Sequence, residues 1–330
     1  MKHASLKHFS TPFSLRKSMQ IVSHLCHQLL PRNHRYLQLI RDADWSTLAH
    51  ASVNYDDALC AGEVAAERQV LAFFQKNACL PLGVDRRAVA RERMMLAERE
   101  CAITNWRISN GRLLGEGLDS HTLSCIARKI DVILGPLPSL EELSPGFGPG
   151  VNVGTSRLSS ARHKMSVKPT YTANAAPLVE RMLVEFPQWD YLGNAEEANY
   201  GKLAFVPKDA KTDRTIETQP IINAFLQKGY GDWMKKRLLQ SGCDLRRGQT
   251  TNARLALRGS LQDDYATIDL SSASDTISSL LVLELLPPEW FSALEAVRTP
   301  KLKIGKQFHE LHRFSAMGNG YTFELESLIF

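Results

Sequence analysis

The sequence predicts an α+β protein, with helices first and short strands confined to the second half. Three observations predict it. Residues up to about 140 are dominated by good helix formers. Two short β-prone runs flank a polar turn within "KLAFVPKDAKTDRTIETQP" (202–220). A third apolar, β-prone run, 265–268, stops at a carboxylate, Asp269, ahead of another helical stretch.

At 330 residues the chain can bury a sizeable core in two or three subdomains. Its 44% hydrophobic and 23% charged content is that of a soluble globular protein. The longest apolar stretch, 280–286, contains Glu284 and ends at Pro287-Pro288, far too short to cross a bilayer. The cysteines Cys26, Cys60, Cys79, Cys101, Cys125 and Cys243 are scattered with no CxxC pair, which points to a reduced, intracellular chain. His24, Cys26, His27 and His34 match no familiar zinc spacing. No Asp or Glu occurs before Asp42, so the N-terminus is a basic arm, read first as solvated and alternatively as a polyanion contact or a transit peptide.

In order along the chain, "DRRAVARERMMLAERECAITNW" (85–106) reads as a helix whose charges form a solvated face. "SPGFGPG" (144–150), with two prolines and three glycines, breaks the pattern and marks a boundary. Leu178, Met182 and Phe186 recur every four residues behind Pro177, predicting a short helix over 176–186. A strand at 203–206, a turn at 208–213 and a strand at 214–217 follow, then a helix over 221–239. A strand at 265–269 leads into a helix over 274–286 with Ser274 as N-cap. "SAMGNGYTFELESLIF" (315–330) predicts a glycine-rich turn and a helix running to the last residue. There is no internal repeat and no long low-complexity segment.

Three segments carry chemistry. A carboxylate at a strand end, such as Asp269, is a common ligand for a hard cation, and Ser271, Ser272, Ala273 and Ser274 leave room beside it. Alone, Asp269 and Asp275 are better explained as turn and helix-start acids. Lys208, Lys211 and Arg214 recur every three residues across the turn and could grip a polyphosphate, or could simply be solvated. Lys228, Lys235, Lys236, Arg237, Arg246, Arg247, Arg254 and Arg258 continue the basic bias, which favours a nucleic-acid backbone over a neutral small molecule. Gly318 and Gly320 permit a sharp turn, and Thr322 and Glu326, four apart, share one helix face where a hydroxyl and a carboxylate could read a ribose.

The order of these segments resembles the polymerase motifs F, A and B. In residues, "PKDAKTDRTIETQP", "IDLSSASDTIS", "LLPPEWF", "FGPG" and above all "SAMGNGYTFELESLIF" resemble the replicase of the positive-strand RNA bacteriophages (leviviruses), specifically from about residue 145 to 330. The resemblance implies a right-hand polymerase fold with fingers plus an incomplete palm and no thumb. It would divide the chain into a mainly helical region (1–143), fingers with the motif F hairpin (144–260) and a partial palm with motifs A and B (261–330). It implies RNA-templated RNA synthesis in replication of a phage genome, with two Mg²⁺ ions. Asp269 then matches the first metal-binding aspartate, with the Leu270 carbonyl as a further ligand. Asp275 and Glu326 match positions near the incoming ribose. Gly318, Asn319 and Thr322 match the motif B loop and helix start, and Lys208, Lys211 and Arg214 match the cations on the triphosphate. Implied partners are a single-stranded RNA template, NTPs, host elongation factors Tu and Ts and a ribosomal protein, with no membrane, in the cytoplasm of the bacterial host.

The sequence departs from the family in one respect: no Gly-Asp-Asp follows motif B. The chain therefore reads as an N-terminal fragment, probed against two alternatives. Tyr55-Asp56-Asp57 could be a permuted motif C, though its flanks read as a loop entering a helix, and Asp263-Asp264 reads as a turn. The other functional class is a non-catalytic RNA-binding protein derived from a polymerase.

Overall fold

The computed structural model describes residues 12–53, 55, 60–111, 120–155 and 160–330. Asp56 and Asp57 lie outside these residues. The chain divides into two compact units, Met1–Arg93 with Phe205–Thr215, and Met94–Ala204 with Ile216–Phe330.

The first unit is helical. It holds α1 (Pro12–Leu29), α2 (Arg35–Arg41), α3 (Trp45–His50), α4 (Ala61–Gln75) and the first residues of α5 (Arg86–Ser109). The His34 ring accepts from the Tyr36 N–H and Asp44 from the Thr47 N–H, so α2 and α3 each start on a side-chain cap. α1 packs on α2 and α4, and α3 on α2 and α4. Leu37, Leu48, Val70 and Phe74 are fully buried between them, each contributing about 1.5–3 kcal/mol. The 205–215 segment joins this core through Ala210, whose N–H donates to the Gln75 carbonyl at 2.8 Å.

The second unit contains the rest of α5, then α6 (Ser120–Leu134), α7 (Ala161–Ser166), β1 (Thr170–Tyr171), α8 (Ala176–Glu185) and β2 (Glu196–Glu197). Next come β3 (Gly201–Pro207) and β4 (Asp213–Thr218), whose ends nearest their connecting turn fall within Phe205–Thr215. α9 (Ile221–Gln240), α10 (Gly248–Gln262), α11 (Ser279–Leu285), α12 (Pro288–Val297), β5 (Lys301–Ile304), β6 (Gln307–Glu310) and α13 (Thr322–Ile329) complete it. A parallel pair, β1–β2, and a four-stranded sheet in the order β4-β3-β5-β6 are its only sheets among the described residues, beside isolated bridges such as Ser278 with Arg313. β3 runs parallel to β5, with Gly201 opposite Leu302, and β5 and β6 form an antiparallel hairpin.

α9 is the centre of this unit. Ile221, Ile222, Phe225, Leu226, Tyr230, Met234 and Leu238 bury it on nearly every side, the mark of a core helix. α6, α12 and α13 pack on it. Asn223 and Gln227, both fully buried, donate to the Val297 carbonyl at 2.8 Å each and so fix the end of α12. Gly231 lets the 316–321 loop lie directly on the helix, since a Cβ there would collide with the Gly320 carbonyl.

The helices expected over 85–106, 176–186 and 221–239 form as α5, α8 and α9, and the strand–turn–strand forms as β3 and β4. Residues 144–150 contain neither helix nor strand. The strand expected at 265–269 does not form: residues 264–270 have no regular structure, and Ile268 is 84% exposed. A strand exists only through hydrogen bonds to a neighbour, and no strand among the described residues pairs with this segment. The helix expected over 274–286 is also shorter. Ser274 lies in a 3₁₀ turn, Ala273–Asp275, and α11 begins only at Ser279. The reason is that Ser278 pairs in extended form with Arg313 before the helix starts. The β5–β6 hairpin was not foreseen in the sequence.

Candidate functional site

The register that delays α11 also builds the site. The Phe314 N–H donates to the Ile277 carbonyl at 2.8 Å, and the Ser279 N–H donates to the His312 carbonyl at 2.9 Å. Arg313 is thereby turned into the interior, where its side chain is 2% exposed. It meets three carboxylates from three elements. Nη1 lies 2.7 Å from Asp275 Oδ1, Nε lies 3.0 Å from Glu98 Oε1 on α5, and Nη2 lies 3.9 Å from Glu217 Oε2 on β4.

One cation among three carboxylates does not neutralise them. Burial pushes the Glu217 carboxyl above its ordinary value, and Arg313 and the Thr299 hydroxyl hydrogen bond pull part of the way back. Burial also raises Asp275, again opposed by Arg313. The Cys101 thiol, donating to the Asp275 carbonyl at 3.5 Å, is pushed up to about 12 by burial and stays protonated. α5 fixes the region further: the Asn105 side chain donates to the Ser279 hydroxyl and accepts from the Leu280 N–H at 2.9 Å.

The glycine-rich loop closes the other side. Gly318 has φ +120°, and a Cβ there would collide with the Glu217 carbonyl oxygen. The Glu217 N–H donates to the Met317 carbonyl at 2.8 Å, and the Gly320 N–H to the Gln227 side chain at 3.1 Å. Asn319 accepts from the Ala316 N–H, and the Thr322 hydroxyl donates to the Ala316 carbonyl at 2.7 Å. Both side chains are thus engaged inside the loop and buried. α13, which starts at Thr322, packs on the Ala273–Asp275 turn. Glu326 is raised by burial and, next, by the charge of Asp275.

The remaining expected residues sit elsewhere. Asp269 and Leu270 are exposed on the irregular 264–270 segment, not at a strand end. Lys208, Lys211 and Arg214 belong to the first unit. Their turn is held by Asp209, which accepts from the Lys211 and Thr212 N–H groups at 2.8 Å each, and by Asp213, 3.1 Å from Arg86. The three cations themselves have no carboxylate within 4.0 Å among the described residues. Of the later basic series, Arg237 is not free surface: it donates to the Ile133 and Val132 carbonyls at the end of α6. Lys228 pairs with Asp232, and Arg258 with Asp264.

Arg313, Glu98 and Glu217 were missed in the sequence. The solvated face expected for α5 fails at Glu98, which is 6% exposed. A signal was present: Ala90, Met94, Ala97 and Cys101 form the buried stripe of that helix, and Glu98 follows Met94 by four.

The family model of RNA replicase, beta-chain, matches residues 70–330. The chain belongs to this family. It is 38% identical over 256 residues to the RNA-directed RNA polymerase subunit beta of Escherichia virus Qbeta, covering 76% of this chain and 43% of that protein. Over 132 residues it is 51% identical to the RNA-directed RNA polymerase beta chain of Enterobacteria phage GA, covering 40% of this chain and 25% of that one. The beta chain of Escherichia phage MS2 is 48% identical over 125 residues, 38% of this chain and 23% of its own length. The chain thus spans less than half the length of these replicase relatives. RNA polymerases in general work with divalent metal ions. Among the described residues of this replicase chain, no group of three or more His, Cys, Asp or Glu side chains is placed to hold one. No helix among the described residues is long and apolar enough to cross a membrane.

Proposed function

We propose that this chain is part of an RNA-directed RNA polymerase that transfers nucleotides from NTPs to the 3′-OH of a growing RNA during replication of a phage genome. The match to the replicase family over 70–330 carries this reading, because every residue assigned a role lies within it. The chain would supply the fingers and part of the palm of a right-hand fold.

Asp275 accepts a hydrogen bond from the ribose 2′-OH, and Glu326, beside it, reads the same sugar. Gly318, Asn319 and Thr322 act through the shape of their loop, since the two polar side chains are already engaged within it. Lys208, Lys211 and Arg214 neutralise the triphosphate; their lack of carboxylate partners suits that role. Asp269 and the Leu270 carbonyl contribute oxygens toward Mg²⁺, which when bound neutralises charge on the reacting phosphates. The template is single-stranded RNA, and host elongation factors Tu and Ts and a ribosomal protein are the assembly partners, in the cytoplasm of the bacterial host.

A second reading is a non-catalytic RNA-binding protein, which the cationic Lys208, Lys211 and Arg214 turn, without carboxylate partners among the described residues, would serve equally. Filter binding tests what both share. The 330-residue chain should retain single-stranded RNA, with affinity falling steeply as salt rises. No retention at low salt would contradict both readings. RNA synthesis by a longer polypeptide carrying these residues separates them.

A further inference from the structure

We propose that Arg313 is a positioning residue for sugar recognition: it anchors Asp275 through one carboxylate oxygen and leaves the other free to accept from a ligand hydroxyl. The inference rests on the reading of Asp275 as the ribose contact. It goes further by naming what makes that contact possible.

The geometry is specific. Oδ1 of Asp275 receives the Arg313 Nη1 donor, whereas Oδ2 accepts no hydrogen bond among the described residues. The Asp275 side chain is 22% exposed, so the free oxygen is not sealed in. Arg313 cannot swing, because its other nitrogens face Glu98 and Glu217 and its backbone is paired with Ser278. The guanidinium fork is what allows one side chain to meet three carboxylates in fixed directions.

The charge balance explains why a cation is required. Asp275 is neighboured by Glu326 from α13 and Cys101 from α5, and Glu98 from α5 and Glu217 from β4 compete with it for the same guanidinium, with Arg298 buried near Glu217. Every one of these but Arg298 disfavours a further negative charge or is neutral. Arg313 is the cation in direct contact, and it keeps Asp275 available as an ionised, strong acceptor. A hydroxyl on the sugar is then distinguished from a hydrogen by whether that acceptor is satisfied.

The experiment compares binding of ATP and 2′-deoxy-ATP to the 330-residue chain by equilibrium dialysis across pH, for the native protein and for Arg313→Met and Arg313→Lys. The native chain should prefer ATP, more strongly as pH rises and Asp275 ionises. Arg313→Met should lower that preference about tenfold, the lower end for a lost charge-assisted hydrogen bond, and move its pH midpoint upward. Arg313→Lys keeps the charge but not the fork; it should reduce the preference while leaving the midpoint near the native value. Circular dichroism identifies a variant that has not folded, in which case Arg313→Lys decides. A folded variant with native preference and midpoint would make Arg313 merely structural and overturn the inference. Equal binding of the two nucleotides by the native chain would remove the ribose role of Asp275 and the inference with it. No binding of either nucleotide would instead contradict the polymerase reading on which both stand.

Discussion

Arg313 Nη1 stands 2.7 Å from Asp275 Oδ1, and through the same guanidinium Asp275 is tied to Glu98 and Glu217. These four residues are far apart in the chain. Their meeting holds the Ala273–Asp275 turn, α5, β4 and the start of the glycine-rich loop in one arrangement.

Removing the cation should therefore cost far more than a surface ion pair would. Arg313→Met leaves two deeply buried carboxylates and one half-buried one without their shared partner. The expected loss is about 3–5 kcal/mol, the range for breaking a buried pair on one side. Urea unfolding checks this, and a loss below about 1 kcal/mol would show that the cluster is solvated in solution.

The same cluster predicts a pH dependence with a definite sign. Glu217 and Asp275 are both raised in the fold, from ordinary values of 4.5 and 3.8. Their contribution to stability is whole below those ordinary values and is lost as pH rises through the raised ones. Glu217→Gln cannot titrate. The stability difference between the native chain and Glu217→Gln should consequently shift in favour of the variant as pH rises from about 4.5. Parallel profiles for the two proteins would contradict the raised value.

Gly318 should resist even alanine. Its φ of +120° is strained for any side chain, and a Cβ would strike the Glu217 carbonyl. Gly318→Ala should destabilise by about 1–3 kcal/mol or more, as overpacking does. Gly148→Ala is the control: nothing lies within 4 Å of its Cβ position, and it should stay within about 0.5 kcal/mol of native. Thermal unfolding separates them, and equal effects would mean that the loop does not rest on β4.

What the sequence disclosed and what it hid follow a physical line. α5, α8 and α9 were legible because propensity and period are local, and the β3–β4 turn was legible because Asp209 and its neighbours form it locally. The strand at 265–269 was misread because an apolar, β-prone run forms a strand only with a partner. The late start of α11 depends on Ser278 meeting Arg313, a pairing that no window around Ser274 contains. Asp275 and Glu326 were picked out by motif, whereas Arg313, Glu98 and Glu217 were not. A charged residue in a helix or strand looks solvated until tertiary packing buries it.

Lys208, Lys211 and Arg214 have no carboxylate partners among the described residues, so their charges are available to phosphate. Replacing all three with alanine should flatten the salt dependence of single-stranded RNA binding by a slope of about 2 in log–log form, if each meets one phosphate. Within a longer replicase polypeptide, Arg214→Ala alone should lower kcat/KM for NTP by the equivalent of about 2–4 kcal/mol. An unchanged salt slope together with an unchanged kcat/KM would assign the turn to solvated surface.

The central claim, that these residues belong to an RNA-synthesising machine, is tested most directly by primer extension. The assay uses an RNA template, all four NTPs and Mg²⁺. It compares the 330-residue chain, a polypeptide continuing from it through a Gly-Asp-Asp segment, and that longer polypeptide carrying Asp269→Asn. Synthesis is expected from the longer polypeptide alone, with the Asp269→Asn variant and the 330-residue chain both inactive. Robust synthesis by the Asp269→Asn variant, or none by the intact longer polypeptide, would contradict the account.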